Sequence, residues 1–433
     1  MYPHIARLDS DPDLPADSEV VVIGGGIVGV CTAYYLARAG VPVTLLEKGA
    51  LAAEQSSRNW GWVRTLGRDL AEVPLSLESL RLWDALAREL PDDTGFVRSG
   101  IYYASETAQD RARHEQWRDD ARQLGVEVDW LDRAATRAHW PQAERGGWHG
   151  VLHAPVDGRA EPHLASVAIA RGARRAGARL VTGCAVRGLE TAAGRVASVV
   201  TERGEIRCRQ VVLAGGAWSR LFLRRHGIRL PQLKVVASVM RTAPIPGGPS
   251  AALGAHDYAF RRRADGGYTI AQRSANLAPI TPDSFRFLGE FLPALSRQYS
   301  ELRLRLGRTF LDELATPTHW ALDAVSPFER VRVLDPAPSE AILAEARERL
   351  TAVFPGFARM QVVQRWAGVM DVTPDALPVI GEVPSLPGLF LSTGYSGHGF
   401  GIAPGAGRLM SELLTGATPV VDPRAFRFER LAR

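Results

Sequence analysis

Residues Glu19 to Lys48 hold a strand, a turn, a helix and a second strand in unbroken order, and no other stretch limits the fold as strongly. The apolar run Val20 to Ile23 leads into Gly24, Gly26 and Gly29 in G-x-G-x-x-G spacing; a helix-length segment follows, then Gly40 as a stop, a second apolar run and Glu47. Gly24 permits a tight turn, Gly26 lets the backbone approach a pyrophosphate, and Gly29 allows helix and strand to pack closely, while the helix N-terminus turns free N–H groups toward an anion. Glu47, 18 residues past Gly29, ends the second strand, where a carboxylate can accept from both ribose hydroxyls. The pattern predicts a dinucleotide-binding βαβ unit. An acid at this position disfavours only the 2′-phosphate of NADP, so NAD and FAD both stay open on this unit alone.

Other segments bear on that choice. After Glu47, instead of a second regular helix, come Ser56, Ser57, Arg58, Asn59 and Gly61, whose hydroxyl, amide and backbone N–H groups suit a phosphate or a flavin ring edge. Gln210 to Trp218 reads as a buried strand ending in paired glycines. Near the C-terminus the strand Leu389 to Ser392 runs into Gly394, Gly397, Gly399 and Gly401 and then a helix. Four such glycines before a helix suit a ligand that needs close backbone approach and a positive dipole end. A plain NAD dehydrogenase gives no reason for this turn.

Four blocks, IGGGIVG, SSRNWGW, VVLAGGAW and STGYSGHGFGIAPGAG, together resemble the FAD-dependent amine and amino-acid oxidoreductases of the D-amino-acid oxidase superfamily, which includes glycine oxidase and sarcosine oxidase-like enzymes. The resemblance runs from about Glu19 to Gly416. It implies an α/β fold: a Rossmann-type FAD-binding domain assembled from dispersed segments, plus an α+β substrate domain with an antiparallel sheet. It also implies that the first block holds the FAD pyrophosphate, that Glu47 binds the adenosine ribose, and that the turn from His398 to Ile402 lies along the pyrimidine edge of the flavin. There a helix N-terminus stabilises the negative charge of the reduced ring. The expected cofactor set is Gly24, Gly26, Ile27, Val28, Gly29, Glu47, Lys48, Ser56, Ser57, Arg58, Asn59, Gly61, Val186, Ala214, Gly215, Trp218, Gly394, Gly397, His398, Gly399, Phe400, Gly401 and Ile402. No metal is expected.

Within that frame, residues 19–65, 150–230 and 367–416 are assigned to the FAD-binding domain and 66–149 and 231–366 to the substrate domain, with 1–18 as a loose arm and 417–433 as a tail. Helices are expected at Ser76–Leu90, Ser105–Gly125, Glu161–Leu180, Asp283–Leu306 and Ser339–Phe354, and an antiparallel hairpin turning at Ala264 to Gly267. The 433 residues and 46% hydrophobic content support two or three domains. No apolar run reaches the ~20 residues of a membrane span. Three cysteines without a C-x-x-C and an N-terminus without an apolar h-region suit a cytoplasmic protein, and the charge of +5 comes from arginines interleaved with acids, which argues against nucleic-acid binding.

The resemblance implies an enzyme that oxidises the C–N bond of an amino acid or secondary amine to an imine by hydride transfer, with hydrolysis after. A flavoprotein subunit of a heteromeric amino-acid or opine dehydrogenase and a flavin-binding protein without turnover are the alternatives. Two familiar carboxylate anchors are absent: Met370 stands where glycine-oxidase-like enzymes carry an arginine after W-A-G, and Gly401 where sarcosine-oxidase-like enzymes carry a lysine. Arg64 is the expected replacement, its planar fork suiting a carboxylate, with Arg262 and Arg273 behind it. Trp60, Trp62, Tyr258, Tyr395 and His398 are expected to frame the substrate, and Arg64, Tyr258 and His398 to form the catalytic set. Gly368 to Asp375 contains no cysteine to tether the cofactor, so FAD is expected to bind noncovalently. Gly267 to Arg273 contains no lysine to activate oxygen, and Lys234 lies well upstream, which leaves oxygen, a quinone and a partner protein all open as electron acceptors.

Overall fold

The computed structural model describes residues 3–143, 145–298 and 302–431. Its first sheet is built around Asp17–Ile23, which runs parallel to Val43–Glu47 on one side and to Gly204–Leu213 on the other, Val20 lying opposite Val43 and Gln210. Arg179–Thr182 extends the sheet beyond the former and Leu389–Thr393 beyond the latter, both parallel. Val20, Val21 and Val22 are all fully buried, which is why the strand reads as an unbroken apolar run: a parallel strand with both faces covered has no polar side. An antiparallel meander, Val186–Ala192 and Arg195–Thr201, finishes the other edge and turns at Ala193 and Gly194, both at positive φ.

Helices Ile27–Arg38, Val73–Glu89, Pro162–Arg175 and Gly399–Thr415 share one core against this sheet, with Trp83, Leu36, Ile169 and Leu409 inside it. The first and last of them touch backbone to backbone. A Cβ on Gly407 would lie 2.6 Å from the carbonyl carbon of Cys31.

Among the described residues the second sheet has ten strands. Its spine is Leu233–Thr242 paired antiparallel with Val362–Val372, and the hairpin Ala259–Arg262 with Tyr268–Ala271 turns where its Asp-Gly-Gly sequence predicts. Three expectations shift. Gly150–Ala154 pairs with Ile101–Ser105 in this second sheet, so the return to the first comes only at Pro162. Ala367 to Val372 complete a strand of the second sheet for the same reason: pairing partners, not composition, decide membership. The expected helix Asp283–Leu306 is two helices, Pro282–Arg286 and Leu288–Gln298, followed by the strand Leu302–Arg305, which finds an edge at Asn276–Pro279. Nor is the N-terminal arm wholly loose, since Asp11 exchanges backbone and side-chain hydrogen bonds with Leu180.

Glu161 ties the sheets together. It is 1% exposed; its carboxylate accepts from Arg261 Nη1 at 2.8 Å, from Arg261 Nη2 at 3.0 Å and from the Ala264 N–H at 2.8 Å. Burial alone would raise this carboxyl, but the charge and hydrogen bonds of Arg261, with Arg263 and the Ala264 amide, outweigh it and hold it at about 2. The folded value lies below the ordinary 4.5, so the stabilisation is fully present above pH 4.5 and is lost as pH falls from there toward 2. Urea titrations should find Glu161→Gln less stable than wild type by about 3 kcal/mol at neutral pH. That gap should close through the same acid window; a gap independent of pH would contradict the assignment.

Candidate functional site

The glycine turn between the first strand and its helix forms the floor of a cleft of about 1240 Å³. Gly24 has φ +115, and a Cβ on it would sit 2.3 Å from the Ala214 carbonyl oxygen; one on Gly29 would sit 2.1 Å from the Gly24 oxygen. Neither position tolerates a side chain, because strand and helix meet there. At Gly26 the nearest atom to such a carbon is Ser56 Oγ at 3.1 Å, so that glycine opens onto the cleft. Ile27 N donates to Ser56 Oγ at 2.8 Å, and no side chain of its own caps this helix, which leaves its N-terminal turn directed at the cleft.

Glu47 stands at the strand end, accepting from Gly25 N on Oε2 and Gly49 N on Oε1, both at 2.7 Å. A carboxylate offers about four acceptor sites, so two remain for hydroxyls. Burial pushes this carboxyl up against the pull of those amides and Lys48. Beyond it Lys48, Cys184, Val186, Phe328 and Trp218 close one end of the cleft. Lys48 Nζ lies 4.3 Å over the Trp218 ring and donates to Glu54, and Trp218 Nε1 donates to the same carboxylate.

The other end is the turn before helix Gly399–Thr415. Tyr395, Gly397, Gly399 and Phe400 line the cleft, as do Ala214 and Gly215. Asp371 fixes the turn: its Oδ2 accepts from Gly394 N at 2.6 Å, Thr393 Oγ1 at 3.1 Å and Gln232 Nε2 at 3.0 Å. Gly394 thus holds the turn without lining the cleft. Gly401 and Ile402 face away as well, their carbonyls accepting from Trp83 Nε1 and Ser79 Oγ. The helix N-terminus, Gly399 and Phe400, is what meets the cleft.

Of the serine-rich block, Ser56 and Asn59 line this cleft; Ser57, Arg58 and Gly61 do not. Arg58 is 1% exposed: Nε and Nη2 donate to Ala53 O at 3.1 and 3.0 Å, and Nη1 to Ala367 O and Asp335, both at 2.9 Å. A charged donor set spent on two carbonyls and a carboxylate clamps the loop to the second sheet. Arg58→Met should cost about 2–4 kcal/mol in denaturant unfolding of the apoprotein, with Arg58→Lys recovering only part, since an ammonium cannot reproduce the planar set.

At Gln55, Asn59, Gly397 and Phe400 the cleft opens into a second, of about 4450 Å³. Trp60, Gly61, Trp62, Arg64, Tyr103, Arg273, Met370 and His398 line it. Two guanidiniums flank the Tyr103 ring, Arg273 at 4.1 Å and Arg64 at 5.7 Å from its centre. Arg64 Nη1 also donates to Leu66 O. Ile280, Phe285, Leu288, Phe291 and Leu304 make an apolar outer wall. Lys234, distant in sequence, reaches the same cleft paired with Glu313 at 2.8 Å.

Tyr258 is not part of either cleft. It is 1% exposed, packed one residue ahead of the strand Ala259–Arg262 in a core with Met240, Leu253, Phe260 and Ile270, so it leaves the catalytic set. Arg262, half-buried on the hairpin, lines neither cleft. His398 precedes the C-terminal helix, and burial together with Arg68 and Arg64 holds its imidazole far below the usual histidine value, hence neutral. Sequence reasoning missed Tyr103, Arg68 and Glu72, none of which sits in a recognisable motif.

A family model described as DAO, FAD dependent oxidoreductase, matches residues 19–413. The glycine oxidase of Pseudomonas aeruginosa is 30% identical over 415 residues, covering 94% of this chain and 97% of its own length. The 4-methylaminobutanoate oxidase (formaldehyde-forming) of Paenarthrobacter nicotinovorans is 27% identical over 98% of this chain, which spans 46% of that protein. Among solved structures, the L-amino acid deaminase of Proteus myxofaciens, in complex with anthranilate, matches with a TM-score of 0.96 at 32% identity, over 100% of this chain and 97% of that one. Among the described residues no helix is long and apolar enough to cross a membrane.

Proposed function

The chain belongs to the DAO family of FAD-dependent oxidoreductases, and on that premise we propose that it oxidises the C–N bond of an α-amino acid to an imine, which water then hydrolyses. The first cleft fits FAD: an open glycine floor, an uncapped helix N-terminus, a strand-end carboxylate with acceptor sites to spare, and a second helix N-terminus at the far end. Gly26, Ile27 and Ser56 would hold the pyrophosphate and Glu47 the ribose. Bound FAD supplies a two-electron acceptor for a hydride.

The observation that carries the substrate reading is the junction of the clefts. Past Asn59 and Phe400 the wider one presents paired guanidiniums around Tyr103, and beyond them an apolar wall. Arg64 and Arg273 bind a carboxylate, Trp60 and Trp62 keep water from the reacting carbon, and the wall takes an apolar side chain. The likeness to an L-amino acid deaminase over the whole chain supports the same class.

The test is anaerobic bleaching of the flavin across L- and D-amino acids, N-methyl amino acids and simple amines. Amino acids with apolar side chains should bleach it at least 100-fold faster than amines of equal size without a carboxylate, the scale of a lost charge pair. Equal rates would remove the carboxylate from the reading. Acid precipitation should leave the flavin in solution, since no cysteine lies between Gly368 and Asp375. Flavin on the pellet would refute noncovalent binding.

A further inference from the structure

Behind His398, on the side away from the cleft, is a carboxylate with no part in the reaction as described. Glu72 is 1% exposed and directly precedes the helix Val73–Glu89. Its Oε2 lies 3.7 Å from His398 Nδ1 and 3.9 Å from Arg68 Nη1, while Arg68 Nη2 donates to the His398 carbonyl at 3.1 Å. Among the described residues, neither Glu72 oxygen, nor His398 Nδ1, nor Arg68 Nη1 has a hydrogen-bond partner. Unpaired buried polar groups are costly, and these converge with complementary chemistry: a carboxylate between a ring nitrogen and a guanidinium. The His398 side chain is 29% exposed and lines the second cleft. With Nδ1 turned inward, the exposed edge of the ring carries Nε2.

We propose that Glu72 is a positioning residue: it accepts the Nδ1 proton of His398, so that the Nε2 lone pair meets the substrate amine and takes the proton an ammonium must lose before oxidation. This rests on the amine-oxidation reading above. The N–H bond of the ammonium breaks, an Nε2–H bond forms, no electron moves, and the resulting imidazolium keeps its Nδ1–H against Glu72. Burial, with Asp69 and Asp375, raises the Glu72 carboxyl against the pull of Arg68 and Arg64, and burial with the same two arginines opposes a cation at His398, so an imidazolium there needs Glu72 as its counter-charge. Between turnovers burial and the arginines keep the ring neutral, and the proton from the ammonium is held there only against Glu72.

The experiment follows anaerobic flavin reduction against pH in the FAD-loaded wild type and Glu72→Gln. At neutral pH, where the amine arrives protonated, the variant should be slower by roughly 10- to 100-fold. Above the amine's own pKa the deficit should close, because the substrate then needs no base. A second measurement needs no altered carboxylate: ¹⁵N spectra of histidine-labelled wild type, with the His398 signal identified by its loss in His398→Asn, should find Nδ1 protonated and Nε2 bare. A deficit equal at every pH, or Nε2 as the protonated nitrogen, overturns the proposal alone. Failure of every amine to bleach the wild-type flavin overturns the functional reading, and this proposal with it.

Discussion

Gly26→Val is expected to give a folded, colourless protein that binds FAD about 100-fold more weakly, a loss of ~3 kcal/mol. The geometry separates this glycine from its neighbours. A Cβ there meets only Ser56 Oγ at 3.1 Å, so the fold absorbs it, but the valine methyls occupy the cleft floor where the pyrophosphate is expected. Gly29→Ala should behave oppositely: its Cβ would be driven into the Gly24 carbonyl oxygen at 2.1 Å, so the damage is to folding, cofactor or not. Absorbance at the flavin bands, paired with circular dichroism of the apoproteins, distinguishes the two. A Gly26→Val protein that purifies yellow would sink the assignment of the floor.

Arg64→Met should lower kcat/KM for the best carboxylate-bearing substrate by roughly 2–5 kcal/mol, the scale for truncating one partner of a buried charge pair. FAD content should stay normal, because Arg64 lines the second cleft and not the first. Arg64→Lys should recover part of the loss, a point charge replacing a planar fork. Arg273 shares the Tyr103 ring, so the two arginines are coupled and the double variant should lose less than the sum of the singles. Wild-type kinetics in Arg64→Met, with a large loss in Arg273→Met, would transfer the anchoring role to Arg273.

The cofactor half of the site was legible because its demands are local. A turn with φ +115 at Gly24 calls for glycine, a strand buried on both faces calls for Val20 to Ile23, and these requirements fall within a few residues of each other. The serine-rich block was legible only in part. Ser56 and Ser57 are adjacent and chemically alike, yet the four-residue helix Gln55–Arg58 turns one toward the cleft and the other away. Nothing in the spacing of such a short helix announces its facing. Tyr258 failed for a related reason: it stands one residue ahead of its strand, Ala259–Arg262, where no alternation announces which way a side chain faces. The candidate substrate half was hardest, since Arg64, Tyr103, Arg273 and His398 come from four separate segments: Arg64 follows a strand paired with Gly158–Arg159, Tyr103 and Arg273 belong with the second sheet, and His398 follows a strand of the first.

The close contact between Cys31 and Gly407 has a consequence for how the molecule is made. The helix that opens on the glycine turn is completed by one from the far end of the chain, and the strand Leu389–Thr393, which reaches the first sheet through Gly204–Leu213, arrives just as late. During synthesis the nascent chain therefore carries half a nucleotide cradle, with buried faces of valine and leucine still wanting partners, until Gly399–Thr415 has left the ribosome. A chain cut shortly before Gly399 therefore forfeits one half of the cradle as surely as a lesion in the glycine turn forfeits the other.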